Sequence, residues 1–184
     1  MAVVDFAVRP TAIEGLHVLI MKQVSDARGV VREFYRESAF REAGLPSLGP
    51  WIQVNVTESR RGAVRGMHGE HMTKLVAVAA GRAHGAYVDT RAGSPTFGVV
   101  EQVPLGPGTQ VLVPPGVANG FQALEDGTQY LYCFDAEWLP GMAGVSVTPL
   151  DPALGIRWPV PVDPEDEAQL SAKDRGAPAL GELP

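Results

Sequence analysis

The chain has 184 residues, enough to bury one sizeable core, and its 45% hydrophobic and 20% charged residues exclude the disordered and fibrous classes. A net charge of -6 supplies no basic field for a nucleic acid, and no segment approaches the ~20 apolar residues that span a bilayer. A single cysteine, Cys133, excludes an internal disulfide, so we expect one cytoplasmic domain over residues 1–184 with no nucleic-acid or membrane partner.

The first predicted element is a strand at 16–22, and a short helix follows it. Ser38 is placed to cap the open amides of residues 39–43, and Gly44 offers a left-handed exit at the C-terminal end. A helix of this length is expected to lie on the periphery of the fold.

Short runs of β-branched and aromatic residues, separated by Gly, Pro, Asp or Ser, fill the middle of the chain. They predict strands at 51–57, 63–68, 74–80, 83–89, 97–103, 110–113, 118–124 and 128–134. Strands about ten residues apart favour an all-β fold, an antiparallel barrel or jelly roll with a few short peripheral helices, over alternating β-α units. From about residue 172 the pattern indicates an irregular tail.

The strand period of two predicts which side chains share a face. His68 shares one face with Val64 and Gly66, and Arg65 lies on the other. In the same way, the side chains of Tyr130, Tyr132 and Phe134 are predicted to lie on one face of their strand. If both faces line the interior, an imidazole and a phenol project into one cavity, which is the arrangement that proton transfer needs.

A cupin-type fold is indicated by residues 114–119, which have the form P-x-G-x-x-H except that Asn119 takes the last position. In metal-dependent cupins that histidine is a ligand, and an asparagine amide is a poor replacement. His68, His71 and His84 would have to compensate, and on an extended strand the first two face opposite ways. We therefore expect no metal and interpret His71, His84 and likewise His17 as surface or loop residues.

Several sequence blocks, in order and at matching intervals, carry a resemblance to one family. They are Asp26–Gly29, Gln53–Asn55, Val64–His68, Lys74–Val76, Val88–Gly98, Tyr130–Tyr132, Asp151–Pro159 and Leu170–Asp174. Along nearly its whole length the chain resembles the dTDP-4-dehydrorhamnose 3,5-epimerase family. The resemblance implies a cofactor-free and metal-free epimerase of a nucleoside-diphosphate 4-keto-6-deoxyhexose, with dTDP as the expected nucleotide.

The resemblance also implies a role for each of four catalytic residues. His68 is the base that removes the hydrogen next to the ketone, and Asp174 supplies the carboxylate that holds its imidazole. Tyr132 returns a proton from the opposite face, and Lys74 lies near the developing oxyanion. From sequence pattern alone, Asp174 would be interpreted as a solvated tail residue and Tyr132 as a core aromatic.

Further positions match family residues that contact the substrate. These are Arg28, Glu33, Gln53, Asn55, Arg65, Asn119, Trp138 and Lys173. The resemblance implies a homodimer in which the N-terminal segment that carries Arg28 and Glu33 reaches into the cavity of the neighbour.

Departures from the family pattern leave the exact activity open. Asn119 stands where the family has histidine, and the usual tyrosine pair after Tyr132 becomes Glu137-Trp138. These changes indicate an altered substrate, or inversion of one carbon instead of two. The alternatives are a sugar-nucleotide keto-isomerase, a non-catalytic sugar-nucleotide binder and a metal-dependent cupin enzyme.

Overall fold

The computed structural model describes residues 1–49 and 51–183, and strands dominate it. The strands are β1 (Ala2–Val4), β2 (Ala7–Pro10), β3 (His17–Ile20), β4 (Lys22–Asp26), β5 (Gly29–Glu33), β6 (Gln53–Ser59), β7 (Val64–Glu70), β8 (Lys74–Ala80), β9 (Ala83–Asp89), β10 (Val100–Leu105), β11 (Thr109–Val113), β12 (Val117–Ala123), β13 (Thr128–Phe134) and β14 (Gly144–Ser146). The helices are α1 (Glu37–Glu42) and α2 (Ala172–Arg175), with 3-10 turns at Pro152–Leu154 and Leu180–Glu182. Neither helix in the described part of the chain has the length and apolar character needed to traverse a bilayer.

The strands form three sheets. One has the order β10-β9-β12-β7-β14, a second the order β2-β3-β11-β8-β13-β6, and a third the order β1-β4-β5. Every pairing between these strands is antiparallel, so the predicted all-β antiparallel fold with short peripheral helices is confirmed.

The main core lies between the five-stranded and six-stranded sheets. Val76 and Tyr130 from the six-stranded sheet pack there with Tyr87 and Phe121 from the five-stranded sheet, all of them fully buried. The rings of Phe121 and Tyr130 stack with their centroids 4.0 Å apart. Packing of apolar faces, rather than strand pairing, joins these two sheets within residues 1–49 and 51–183.

The predicted strands correspond to β3 and to β6 through β13, with ends displaced by up to three residues. Strands β1, β2, β4, β5 and β14 were not predicted. They are three to five residues long and mostly exposed or half-buried, so they carry little of the apolar alternation by which a strand is predicted.

Helix α1 covers the outer face of the six-stranded sheet. The prediction that Ser38 caps it is wrong, because the helix begins at Glu37 with Arg36 in the capping position and no side-chain cap. Burial of Phe40 against Leu19 and Leu75 sets the position of the helix instead. Gly44 has a φ of 72°, as predicted for a left-handed exit.

The C-terminal segment, expected to be irregular, is ordered by specific contacts. Ser171 caps α2 by accepting a hydrogen bond from the amide of Asp174 at 3.1 Å. Asp151 accepts hydrogen bonds from the amides of Ala153 at 2.8 Å and Leu180 at 2.7 Å, which ties the two 3-10 turns together. Of these contacts, only the one between Asp151 and Leu180 joins residues far apart in the sequence, so local sequence patterns could not predict it.

Candidate active site

The site is built where β7 and β12 lie side by side at very close range. A Cβ atom on Gly66 would lie only 2.5 Å from the Cα atom of Gly120, and Gly66 has a φ of 118°. No other residue type fits both the contact and the conformation. The register between the two strands also shifts between Asn119 and Phe121.

This irregularity changes the faces predicted for β7. Arg65, Gly66 and His68 all line one cavity, whereas Met67 is buried on the outer side beneath the C-terminal segment. The prediction that Arg65 faces away from His68 is therefore wrong. A shift in register interrupts the strict alternation on which that prediction depended.

His68 and Tyr132 line the same cavity, which has a volume of about 170 Å³. Its walls also include Asn55, Arg65, Glu70, Lys74, Asn119 and Trp138. Two neighbouring grooves, of about 290 Å³ and 310 Å³, each include His68 as well. The imidazole therefore lies where the three spaces meet.

His68 is held by a buried carboxylate. Its Nε2 atom lies 2.8 Å from Oδ1 of Asp174, which is 7% exposed. Burial acts to raise the pKa of Asp174, but the hydrogen bond and charge of His68 outweigh it and hold that pKa below its ordinary value. An ionised Asp174 only accepts, so Nε2 carries a hydrogen, and in the neutral imidazole the lone pair that can take a proton is on Nδ1.

Tyr132 is the second ionisable group that the cavity places near His68. Burial, together with the neighbouring phenol of Tyr130, raises the pKa of Tyr132 well above its ordinary value, so the hydroxyl keeps its proton. Its ring lies 4.8 Å from that of Tyr130 and stacks on Phe134 at 5.8 Å. These contacts agree with the predicted common face of Tyr130, Tyr132 and Phe134.

Lys74 lies in the wall of the cavity with only 2% of its surface exposed. Its Nζ atom donates to the carbonyl oxygen of His68 at 3.0 Å, to Oδ1 of Asn119 at 2.5 Å and to the carboxylate of Glu70. Burial lowers the pKa of Lys74, while for Glu70 the effect of burial is outweighed by the ammonium, which holds the pKa of that carboxyl below its ordinary value.

Glu70 was missed by sequence reasoning, although a signal was present. It follows His68 by two residues on β7, so the strand period places both side chains on one face. The cavity wall also contains Thr57, and the groove beside Asp174 contains Ser171, neither of which was predicted.

The rim of the cavity holds several of the predicted substrate-binding residues. Asn55 and Trp138 line the cavity, and Lys173 shares the 290 Å³ groove with Trp138. Gln53 braces this rim, since its side chain donates to Oδ1 of Asn55 at 3.1 Å and accepts from the backbone amide of Trp138 at 2.8 Å.

Two predicted substrate-binding residues do not reach this cavity. Arg28 lies at the tip of the β4–β5 hairpin and pairs with Asp26 at 2.6 Å, and Glu33 pairs with Arg36. Glu33 is the last residue of β5, and Arg28 lies in the turn between β4 and β5 of the three-stranded sheet.

The remaining histidines lie outside the site. His71 is exposed, His84 contacts Gln102 at 3.1 Å and His17 contacts the carbonyl oxygen of Gly15 at 3.0 Å. Within the described residues, no three His, Cys, Asp or Glu side chains are grouped so that they could hold a metal ion.

Comparison with known proteins identifies the family of this chain. A family model described as dTDP-4-dehydrorhamnose 3,5-epimerase matches residues 10–182. The chain is 37% identical over 177 residues to the dTDP-4-dehydro-6-deoxyglucose 3-epimerase of Streptomyces bikiniensis, covering 93% of this chain and 87% of that protein. It is 34% identical over 181 residues to the dTDP-4-dehydrorhamnose 3,5-epimerase of Streptomyces griseus, covering 95% of this chain and 87% of that protein.

A solved structure gives the same result. RmlC from Streptococcus suis, in complex with dTDP-D-xylose, matches with a TM-score of 0.86 and 32% sequence identity, covering 98% of this chain and 94% of that one. Since fold, sequence and family model agree over most of its length, the chain belongs to the dTDP-4-dehydrorhamnose 3,5-epimerase family.

Proposed function

We propose that this protein is an isomerase that epimerises a dTDP-linked 4-keto-6-deoxyhexose at C3, C5 or both, without a metal or cofactor. The observation that carries the proposal is one cavity that contains both an imidazole held by a carboxylate and a phenol that keeps its proton. The neutral imidazole of His68, held by an ionised Asp174, can accept a proton, and the half-buried Tyr132 has a phenol proton to give.

The proposed reaction has two proton transfers. His68 takes the hydrogen from the carbon next to the C4 ketone, and the electron pair of the broken C–H bond moves into an enolate. The resulting imidazolium is stabilised by Asp174. Tyr132 then gives its proton to the same carbon from the opposite face, which inverts the centre.

The rim supports binding of the nucleotide part. Trp138 offers an aromatic surface, while Arg65 and Lys173 supply positive charge that suits diphosphate oxygens. Gln53 and Asn55 add amide groups at the same edge.

We propose the cytoplasm as the location of this protein, where reducing conditions suit the buried thiol of Cys133.

Solvent isotope uptake tests the function directly. The protein is incubated in deuterated water with dTDP-4-keto-6-deoxyhexoses, and NMR locates the label. Deuterium at C3 or C5 with inverted configuration is the expected result. A product whose ketone has left C4 would indicate a keto-isomerase instead, and nucleotide-sugar binding with no label in any sugar would indicate a non-catalytic binder.

Replacing Asp174 with Asn is expected to lower kcat by about 100-fold with little change in the dissociation constant for dTDP, because the imidazolium loses its counter-charge.

The Asp174→Asn variant should also be less stable at neutral pH. The pKa of Asp174 is lower in the folded state than in the unfolded state. The carboxylate therefore stabilises the folded protein above its unfolded-state pKa, and this stabilisation is lost as the pH falls through the folded-state pKa. Urea unfolding should therefore show a stability difference at pH 7 that narrows below about pH 4. An unchanged kcat would contradict the proposed role.

We further propose a homodimer in which the β4–β5 hairpin of one copy completes the cavity of the other. Arg28 and Glu33 lie away from the cavity of their own chain, and apolar side chains around them are exposed. The exposed apolar residues are Val3, Val4, Val30 and Val31 on the three-stranded sheet and Ile52, Val54 and Val56 at the edge strand β6. Exposed apolar side chains on the edge strands of two sheets are typical of an interface.

Mixing inactive variants tests the shared cavity. Arg28→Ala is expected to lower kcat/KM by about tenfold or more, through loss of a charge-assisted hydrogen bond to the diphosphate. When Arg28→Ala and His68→Asn are mixed at equal concentration and re-equilibrated, half of the dimers contain one copy of each variant. Each such dimer has one complete site, so the mixture should show about a quarter of wild-type activity. A mixture of His68→Asn with Tyr132→Phe is the control and should restore none. A monomer in analytical ultracentrifugation would contradict the proposal.

A further inference from the structure

The buried ammonium of Lys74 has no donor to spare for a substrate. An ammonium group has three N–H donors, and three acceptors surround this one: the carbonyl oxygen of His68, the amide oxygen of Asn119 and the carboxylate of Glu70. With 2% of its surface exposed, Lys74 would have to break one of these bonds before it could contact a substrate oxygen.

The contact with Lys74 fixes the orientation of the Asn119 amide. Lys74 can only donate, so the oxygen of the amide must face Nζ, at 2.5 Å, and the NH2 group must point the other way. Asn119 is the cross-strand partner of His68 and lines the cavity that His68 shares with Tyr132. Its two N–H donors therefore belong to the cavity side of the amide.

Glu70 supplies the charge that makes this arrangement stable. The Lys74 side chain is 2% exposed and the Glu70 side chain 13% exposed, so each charge depends on the other for compensation. A buried ammonium without a counter-charge is costly and tends to lose its proton or to reorient. Either change would release the Asn119 oxygen and leave the amide free to rotate.

We propose that Glu70 and Lys74 are positioning residues that hold the Asn119 amide with its N–H donors toward the cavity, so that Asn119 itself hydrogen-bonds the developing enolate oxygen. The proposal rests on the proposed epimerase function. It assigns the oxyanion contact to a neutral donor, and it gives the positive charge of Lys74 an indirect role.

A double-mutant cycle tests the dependence of Glu70 on Asn119. Exchange of substrate hydrogen in deuterated water is measured for Glu70→Gln, Asn119→Ala and the double variant, together with the dissociation constant for dTDP. We expect kcat to fall roughly 100-fold for Asn119→Ala and roughly tenfold for Glu70→Gln, with dTDP binding changed less than about threefold. The double variant should be no slower than Asn119→Ala alone, because Glu70 acts through that amide.

Two further variants separate charge from structure. Glu70→Asp, which keeps the carboxylate, should recover most of the wild-type kcat. Glu42→Gln removes the same charge from the exposed surface of α1, away from the cavity, and should leave kcat unchanged. Losses that multiply in the double variant, or a kcat for Asn119→Ala within about threefold of wild type, would overturn the proposal.

NMR of the Asn119 side-chain amide decides the positioning without turnover. A held amide gives a distinct pair of NH2 resonances, which Asn119→Ala identifies by their loss. In Glu70→Gln this pair should shift or broaden, and an unchanged pair would overturn the proposal. Absence of exchange in the wild-type protein would instead refute the proposed function, and the two failures are thereby distinguished.

Discussion

Replacing His68 with Asn is expected to slow exchange of substrate hydrogen by about 10³- to 10⁴-fold. Asparagine is too short to place its amide where Nε2 of His68 contacts Asp174, and it has no nitrogen lone pair that accepts a proton near neutral pH. The contacts on the rim of the cavity are left in place, so the dissociation constant for dTDP should change little. Deuterium uptake followed by NMR and titration calorimetry with dTDP measure the two quantities.

The matched control for this variant is His84→Asn. His84 contacts Gln102 and packs beside Trp158, with its ring 6.0 Å from the indole, outside the cavity. Its replacement should leave the exchange rate at the wild-type level. If His68→Asn exchanged substrate hydrogen as fast as wild type, His68 would not be the base.

Replacing Tyr132 with Phe should separate exchange from inversion. The ring and its stacking on Phe134 are kept, but the only group proposed to protonate the enolate from the far face is removed. His68 can still take a hydrogen and return one to the same face. We expect epimerised product to form about 10³-fold more slowly, while recovered substrate contains deuterium with its original configuration.

Tyr130→Phe is the corresponding control. Tyr130 is fully buried and stacks on Phe121 in the core between the sheets, so its hydroxyl does not contact the cavity. Product formation should remain close to wild type. Inversion at the wild-type rate in Tyr132→Phe would exclude this phenol as the acid.

Much of the cavity follows from strand periodicity in the sequence. The period of two places His68 beside Gly66 and groups Tyr132 with its aromatic neighbours, and the structure brings these two strand faces to one cavity. Their catalytic roles stay predictions. The same period places Glu70 beside His68, but its partner Lys74 and the Asn119 that Lys74 contacts lie on other strands, so the sequence does not indicate what its carboxylate contacts.

Other parts depend on contacts that local sequence does not encode. Arg65 was predicted on the wrong face because the register shift beside Gly66 arises from the close approach of β12. Ser38 has the chemistry of a cap, yet burial of Phe40 decides where α1 begins. From sequence pattern alone, Asp174 is a solvated tail residue. Only the resemblance to a family indicated that it would reach His68.

The C-terminal segment that carries Asp174 lies outside the two large sheets. Asp174 reaches β7 through α2 and a single bridge between Val64 and Leu170, not through a strand of either large sheet. Detachment of this segment would strip His68 of its carboxylate while both sheets remained packed. Thermal inactivation should therefore begin before the cooperative melting seen by circular dichroism. Substitutions in this segment could likewise change the turnover rate while the core between the sheets stays unchanged.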